Sequence, residues 1–314
     1  MDLLRKDGGI HPYRACRIGN GSMYFGLDRS DRPMLFIPTD DKETSLALRT
    51  DAVSLNVGQS WQIHDTQDEV VVGRFHALGC QATEAASLET FLLIVDAVVR
   101  RYPERPPGRE DLSKLFISLT RLFRTPPEMD VASGRQGLWA ELFLIQHLGG
   151  ASRWAGYWHS DPYRRWDFTF GMHHIEVKST VGPAHAHMFS HRQLFAPAGH
   201  TVAIVSILLQ PMATGLSLGS LIADTRRELQ NDINSLLKLE AAVRAVDLTD
   251  QAMSGPTFST DAAEKNIAWY WAAAVPRFTQ TEPAGVSNTH YRVDLSTTPP
   301  IAMLDVDAWI RKWE

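Results

Sequence analysis

Asp167 is followed nine positions later by Glu176 and then by Lys178, in the runs Trp166-Asp167-Phe168 and Ile175-Glu176-Val177-Lys178-Ser179. Three charged side chains have little reason to sit among such apolar strand residues unless they do chemistry. Carboxylate oxygens suit a hard cation such as Mg2+. A bound cation lowers the pKa of water and neutralises charge on phosphate oxygens. A lysine beside it can hold the attacking water and add positive charge to the transition state.

The elements that must position these groups can be read from the same stretch. Side chains alternate faces along a strand. In His173 to Thr180, Ile175 and Val177 point one way and His174, Glu176 and Lys178 the other. In Trp166 to Phe170, the aromatics Trp166, Phe168 and Phe170 share one face, and Asp167 and Thr169 the opposite one. Gly171-Met172 between the runs suits a two-residue type II′ hairpin. That turn pairs Phe170 with His173 and sets Asp167 opposite Glu176, where like charges repel unless a cation or proton lies between them.

A third carboxylate lies upstream. Gln136 to Leu148 reads as a helix ended by Gly149-Gly150. Leu138, Leu142, Leu144, Ile145 and Leu148 form one apolar arc with Glu141 in its middle, while Ala140, Gln146 and His147 lie away from it. A charge inside a buried stripe is costly unless partnered. Glu141, Asp167 and Glu176 together could bind one or two Mg2+ ions.

These residues resemble a known group. Gly137-Leu138-Trp139-Ala140-Glu141, Trp166-Asp167-Phe168 and Glu176-Val177-Lys178-Ser179 look like the PD-(D/E)XK nuclease superfamily, and more narrowly like its members encoded beside prokaryotic restriction-modification and phage-defence genes. The resemblance covers roughly residues 135 to 210 and departs in one respect: Trp166 stands near where the superfamily has its name-giving proline. It implies Asp167, Glu176 and the Val177 carbonyl as metal ligands, Lys178 as catalytic lysine, and Glu141 as a supporting ligand. It implies Mg2+, with Mn2+ able to substitute, and a DNA substrate. It also implies partner proteins of a restriction or defence system that supply ATPase or recognition functions. Gln193, in the short helical run Ser190 to Ala196, stands at a place like that of helix glutamines in relatives of this fold, where it could orient DNA or the metal-bound water, or it could be a solvated helix residue. The fold implied is α/β (α+β): a restriction-endonuclease-like three-layer core around a mixed central sheet. The continuous apolar run Thr201 to Leu209 suits a strand of that sheet buried on both faces.

Plainer readings stand beside these. Glu176 and Lys178 could be an exposed ion pair on an edge strand, Asp167 a turn residue, and Glu141 the partner of an arginine on a neighbouring helix. Arg164, Arg165 and Arg192 gather near the site and could neutralise phosphates, or simply compensate nearby acids. His187 or His191 could contact the scissile phosphate. His185-x-His187 would share a strand face, yet the histidine spacings here fit no compact zinc site. Trp154, Tyr157, Trp158 and Tyr163 could stack on unpaired bases or pack in the core.

The flanks give the domain scheme. Residues 1–80 read as a small β-rich N-terminal domain, with strands Tyr13 to Ile18, Ser22 to Leu27, Met34 to Ile37, Val53 to Val57, Ser60 to His64 and Glu69 to Phe75, suggesting a small sandwich or open barrel. Residues 81–130 form a helical connector, Thr83 to Arg101 and Arg109 to Arg124, with Thr83 as an N-cap and a boundary at 125–130. Residues 131–250 are the nuclease core, including two helices within Gly215 to Val246. Residues 251–314 add strands Ile267 to Val275 and Thr289 to Ser296 and a helix Asp305 to Trp313, completing or extending the core.

Composition narrows the classes. The 314 residues carry a formal net charge of −5, which lacks the overall basic footprint of avid duplex binding, so positive charge must be local or a partner must deliver the DNA. Two cysteines, Cys16 and Cys80, argue for a reducing cytoplasm without a disulfide framework. No transmembrane run, signal-peptide core, P-loop or Gly-x-Ser-x-Gly elbow is present. Double-strand cutting with one active site per chain would call for a homodimer. Two readings of other classes remain: a catalytically inactive nuclease-fold scaffold or DNA-binding subunit, and a nuclease for RNA or branched DNA.

Overall fold

Short apolar runs split by turn residues build the first half of the chain, and a helix–hairpin–strand series builds the second. The computed structural model describes residues 13–18, 22–43, 45–65, 69–124, 131–159, 164–247 and 257–313. The expected boundary at 125–130 and Tyr163 lie outside the described residues. The chain divides into two compact units, Met1–Pro126 with Gln230–Glu240, and Pro127–Leu229 with Ala241–Glu314. Among the described residues no helix is long and apolar enough to cross a membrane.

In the first unit, strands β1 (Arg14–Arg17), β2 (Tyr24–Leu27), β3 (Pro33–Pro38), β4 (Leu46–Arg49), β5 (Val53–His64) and β6 (Val70–Cys80) form one sheet in the order β1-β2-β3-β6-β5-β4. The sheet closes on itself, because β1 also runs parallel to β5 at Arg14 and His64. The result is a closed five-stranded ring with β4 laid along the other half of β5, at Ser54 to Val57. A closed ring removes its members' free edges. The sequence suggests a sandwich or open barrel and two strands where β5 is one. The reason is a bulge: the β5–β6 register slips between Asn56 and Gln59, and Gly58 takes a φ of +62 that bends the strand without ending it. His76 fills the bend by accepting a hydrogen bond from the Gly58 amide on Nδ1 at 3.1 Å.

Phe36, Ile63, Phe75, Ala15, Met34 and Ala77 form a buried cluster, with Tyr13, Tyr24 and Trp61 packed against it. The rings meet edge to face, Tyr13 on Trp61 at 4.9 Å and Phe36 on Trp61 at 5.4 Å, the favoured aromatic geometry. Helix α1 (Ala85–Arg101) touches β3 and helix α2 (Arg109–Leu122) touches β5. The N-cap of α1 is Glu84, without a side-chain cap bond, and not Thr83.

The second unit opens with α3 (Val131–His147) and α4 (Ala151–Trp154), followed by β7 (Phe168–Phe170), β8 (His173–Thr180), β9 (Ala186–Ser190), α5 (His191–Leu194), β10 (Thr201–Leu208), β11 (Pro211–Ser217) and α6 (Leu218–Glu228). After α7 (Ile233–Ala245), of which the part up to Glu240 belongs to the first unit, come β12 (Thr257–Phe258), α8 (Thr260–Lys265), β13 (Ile267–Trp271), β14 (His290–Asp294) and α9 (Met303–Ile310). Four strands make a mixed sheet in the order β13-β10-β8-β7, with β10 parallel to β8 and the outer pairs antiparallel. β10 is buried along both faces, as its apolar run requires. β13 joins the core sheet, whereas β14 leaves it and pairs with β9 in a separate ribbon. The helix expected from Gly215 starts later, because β11 runs to Ser217, whose hydroxyl caps α6 by accepting from the Ser220 amide.

α3 packs on both β8 and α6. It is therefore buried on more than one side, and Ala140, read from the sequence as lying away from the apolar arc, is fully buried.

Candidate active site

The hairpin carries the site. Phe170 pairs with His173, Thr169 with His174 and Phe168 with Ile175. Gly171 has a φ of +56 while Met172 stays out of the positive-φ region, which is the type II′ pattern. Continued by one step, the register sets Asp167 against Glu176. The strand, however, ends at Phe168, and Asp167 sits in the bend before it. Its carbonyl accepts from the His159 amide at 2.8 Å, and its Oδ2 accepts from the Val177 amide at 2.7 Å. Alternation stops with the strand, so Trp166 does not share the face of Phe168. It stacks on His174 at 3.8 Å, on the Glu176 side of the sheet.

Glu176 and Lys178 pair with β10 and their side chains are enclosed, so they are not an exposed edge pair. Glu176 is 2% exposed, and Lys178 Nζ donates to its Oε1 at 2.7 Å. Cross-strand pairing places Glu176 beside Ile204 and Lys178 beside Ser206.

Glu141 reaches the same place from α3. Its Oε2 accepts from the indole N–H of Trp158 at 2.7 Å. Trp158 is fully buried and bridges to Phe168, beside the start of β7. A buried indole needs an acceptor, and that requirement was the signal in the sequence for a pairing not read there. Gln193 arrives from α5. Ser190 accepts from the Gln193 amide, and the Gln193 Oε1 accepts from the Ser190 amide, a reciprocal capping box. The box fixes which end of the side-chain amide faces inward, and Nε2 donates to Glu176 Oε1.

The three carboxylates, Val177, Lys178 and Gln193 line one cavity of about 320 Å3, with Arg164 and His159 at its wall. A larger cavity of about 600 Å3 in the first unit is lined by the exposed charges Asp111, Lys114 and Asp232 and holds no such cluster. Burial, then the charge of Asp167, pushes the Glu176 carboxyl up to about 8, against the pull of Lys178 and Gln193. Burial and Asp167 hold Glu141 well above the usual carboxylate range. Burial raises Asp167 too, with Lys178 and the Val177 amide pulling the other way. Burial works against the Lys178 charge, but Glu176 and Asp167 more than offset it and keep its pKa raised. Three enclosed acids around one ammonium leave a demand for further positive charge.

The residues fit a divalent cation on one observation in particular. Glu176 Oε2 is buried with no hydrogen-bond partner, and buried acceptors are rarely left so. Among the described residues, however, no group of three or more His, Cys, Asp or Glu side chains stands arranged to hold a metal. Each carboxylate has one oxygen on a protein donor: Glu141 on Trp158, Asp167 on Val177, Glu176 on Lys178 and Gln193. The carboxylates of Asp167 and Glu176 meet beside Val177 on the cavity wall.

Other expected contacts are sorted by their surroundings. Arg164 and Arg192 are exposed. Arg165 donates to the carbonyls of Arg192 and Phe195 and lies 4.3 Å over the Trp166 ring, so it braces the chain. His187 is 5% exposed, and it and His185 both meet the Ser206 hydroxyl from one face of the strand. His191 is buried and stacks on Phe195. Trp154 and Trp158 are fully buried, Trp154 in packing and Trp158 also as the donor to Glu141.

Residues 5–296 match the DUF4420 family, described as "Putative PD-(D/E)XK family member". No curated protein and no solved structure matches the chain.

Proposed function

Since the chain belongs to the DUF4420 family, described as a "Putative PD-(D/E)XK family member", we propose that it is a metal-dependent endonuclease that hydrolyses DNA phosphodiester bonds, with Mg2+ as cofactor and Mn2+ able to replace it. The observation that carries the reading is the convergence of Asp167, Glu176 and Glu141 with Lys178 in one cavity, with an unpartnered Glu176 oxygen among them. Asp167, Glu176 and the Val177 carbonyl would hold the cation, and Glu141 would support it directly or through water. Bound there, Mg2+ would lower the pKa of water and neutralise phosphate charge.

The chain's own groups do the rest. Lys178 aligns the attacking water and faces the charge that develops on the phosphate. Gln193, locked by its capping box, holds Glu176 Oε1 in place. Trp158 fixes Glu141 through one hydrogen bond. The mixed sheet with α3 against β8 supports a restriction-endonuclease-like core. The restriction or phage-defence setting, partner proteins and a homodimer belong to this proposal.

Plasmid and phage-DNA cleavage with Mg2+ or Mn2+ tests it, comparing the wild type with Lys178→Ala and Glu176→Ala. Equal activity in all three sinks the assignment. A second reading, an inactive nuclease-fold scaffold, is favoured by the net charge of −5 and by the protein donors already seated on each carboxylate. Calorimetry with Mg2+ separates the two: no heat, and no effect of Asp167→Ala, favours the scaffold. Duplex, single-stranded and branched DNA and RNA as substrates distinguish a nuclease of different preference.

A further inference from the structure

A second cavity, of about 370 Å3, adjoins the carboxylate site and shares Arg164, Lys178 and Gln193 with it. Its other walls come from the α5 turn, through Arg192, and from the β9–β14 ribbon, through Met188, Ser190 and His290. The ribbon register pairs His290 with Ser190 and Arg292 with Met188, so these four share one face. That face is open: Met188 is 56% exposed, and His290 and Arg292 are exposed beside it.

Among the described residues neither Arg164 nor Arg192 has a hydrogen bond or ion pair from its side chain, unlike Arg165. His290 donates Nδ1–H to the Asn288 carbonyl at 2.6 Å, which fixes the ring at the cavity wall. One acid lines the cavity, Glu282, which the Thr289 amide at 2.9 Å and the Thr289 hydroxyl help hold ionised, and its charge also acts on Arg192. In a chain of net charge −5, this is a local concentration of positive charge directly beside the proposed reaction centre.

Resting on the nuclease reading for its substrate, we propose that this cavity seats the phosphate next to the scissile one on a nucleic-acid strand. Arg164, Arg192 and His290 are its contacts, and Arg292 on the ribbon continues the track. Arg165 binds no phosphate. It positions the turn that presents Arg192, by holding the carbonyls at Arg192 and Phe195. Lys178, in the wall between the cavities, then faces the scissile phosphate from one side while its neighbour is held on the other.

The test is fluorescence anisotropy on the full chain, with Ca2+ in place of Mg2+ to suppress cleavage. The probes are labelled single-stranded DNA, the same sequence as duplex, and the same sequence as RNA. Arg164→Ala and Arg192→Ala should each weaken binding and lower the slope of log affinity against log salt by about one, with unchanged melting temperatures. Arg164→Lys should restore the slope. Unmoved slopes in both alanine variants, or a wild type that binds none of the three probes, overturn the subsite. Cleavage is scored apart from binding. Cleavage that needs Lys178, together with slopes indifferent to the arginines, sinks the subsite alone. Arginine-dependent binding without any cleavage supports the subsite and sinks the nuclease.

Discussion

The barrel and the hairpin site bury their interiors by opposite means. The barrel encloses Phe36, Phe75 and Ile63, with Tyr13 and Trp61 closing over them, and its buried His76 is met by a main-chain amide. The second unit encloses Glu141, Asp167, Glu176 and Lys178 around a cavity. A core of the first kind is explained by folding alone. The second kind opposes folding, because each buried acid must be protonated, paired or neutralised. Where local rules are broken this way without a gain in stability, function is the expected reason.

The sharpest way to break that contrast is at Lys178. Lys178→Ala should lower cleavage by about a hundred- to a thousandfold, on the scale of losing one preorganised group at the transition state, while the protein stays folded because Glu176 can take up a proton. Cleavage assays with urea unfolding on the same sample check both halves. Next in size, Phe36→Ala should destabilise the barrel by about 3–5 kcal/mol and leave Mg2+ affinity unchanged. A parallel loss of metal binding would erase the distinction between the two regions.

Trp158→Phe should cost about 1–3 kcal/mol by leaving a Glu141 oxygen without its donor. It should also raise the Glu141 pKa further, because the indole hydrogen bond lowers it. Mg2+ titration at several pH values reads that change as weaker binding at low pH. The smallest effect is the pH profile of stability. Glu176 is raised from an ordinary value of 4.5 to about 8, so the metal-free fold holds a proton that the unfolded chain releases. Its contribution is full below 4.5 and is lost as pH rises through about 8. His76 is lowered from 6.5 by burial, so its contribution is present above 6.5 and lost as pH falls through its folded value. Calorimetric melts across this range should show an alkaline loss that Mg2+ or Glu176→Gln removes, and an acid loss that neither touches.

What could be read from the residues was what local rules govern. The Gly171-Met172 turn and its register followed from turn chemistry, and the apolar run of β10 from its length. The family was legible from Asp167, Glu176 and Lys178. What escaped depends on tertiary partners. Strand alternation gave no notice that β7 would stop at Phe168, which turned Asp167 toward the Val177 amide and Trp166 onto His174. Nor did the spacing of histidines show that His187 would be buried against Ser206 while His290, about a hundred residues on, would come to the open face. The bulge at Gly58 joined two expected strands because a positive φ bends a strand as readily as it ends one.

Among the described residues the seam of the barrel is the pair Arg14 and His64 of β1 and β5, where the His64 amide donates to the Tyr13 carbonyl at 2.9 Å and the Tyr13 ring stands on Trp61. Fifty residues of chain separate the two sides, so this contact carries the largest loop-closure cost in the ring. It is the point at which the cylinder should unzip first, and hydrogen exchange at one amide, that of His64, becomes a gauge of whether the ring is shut.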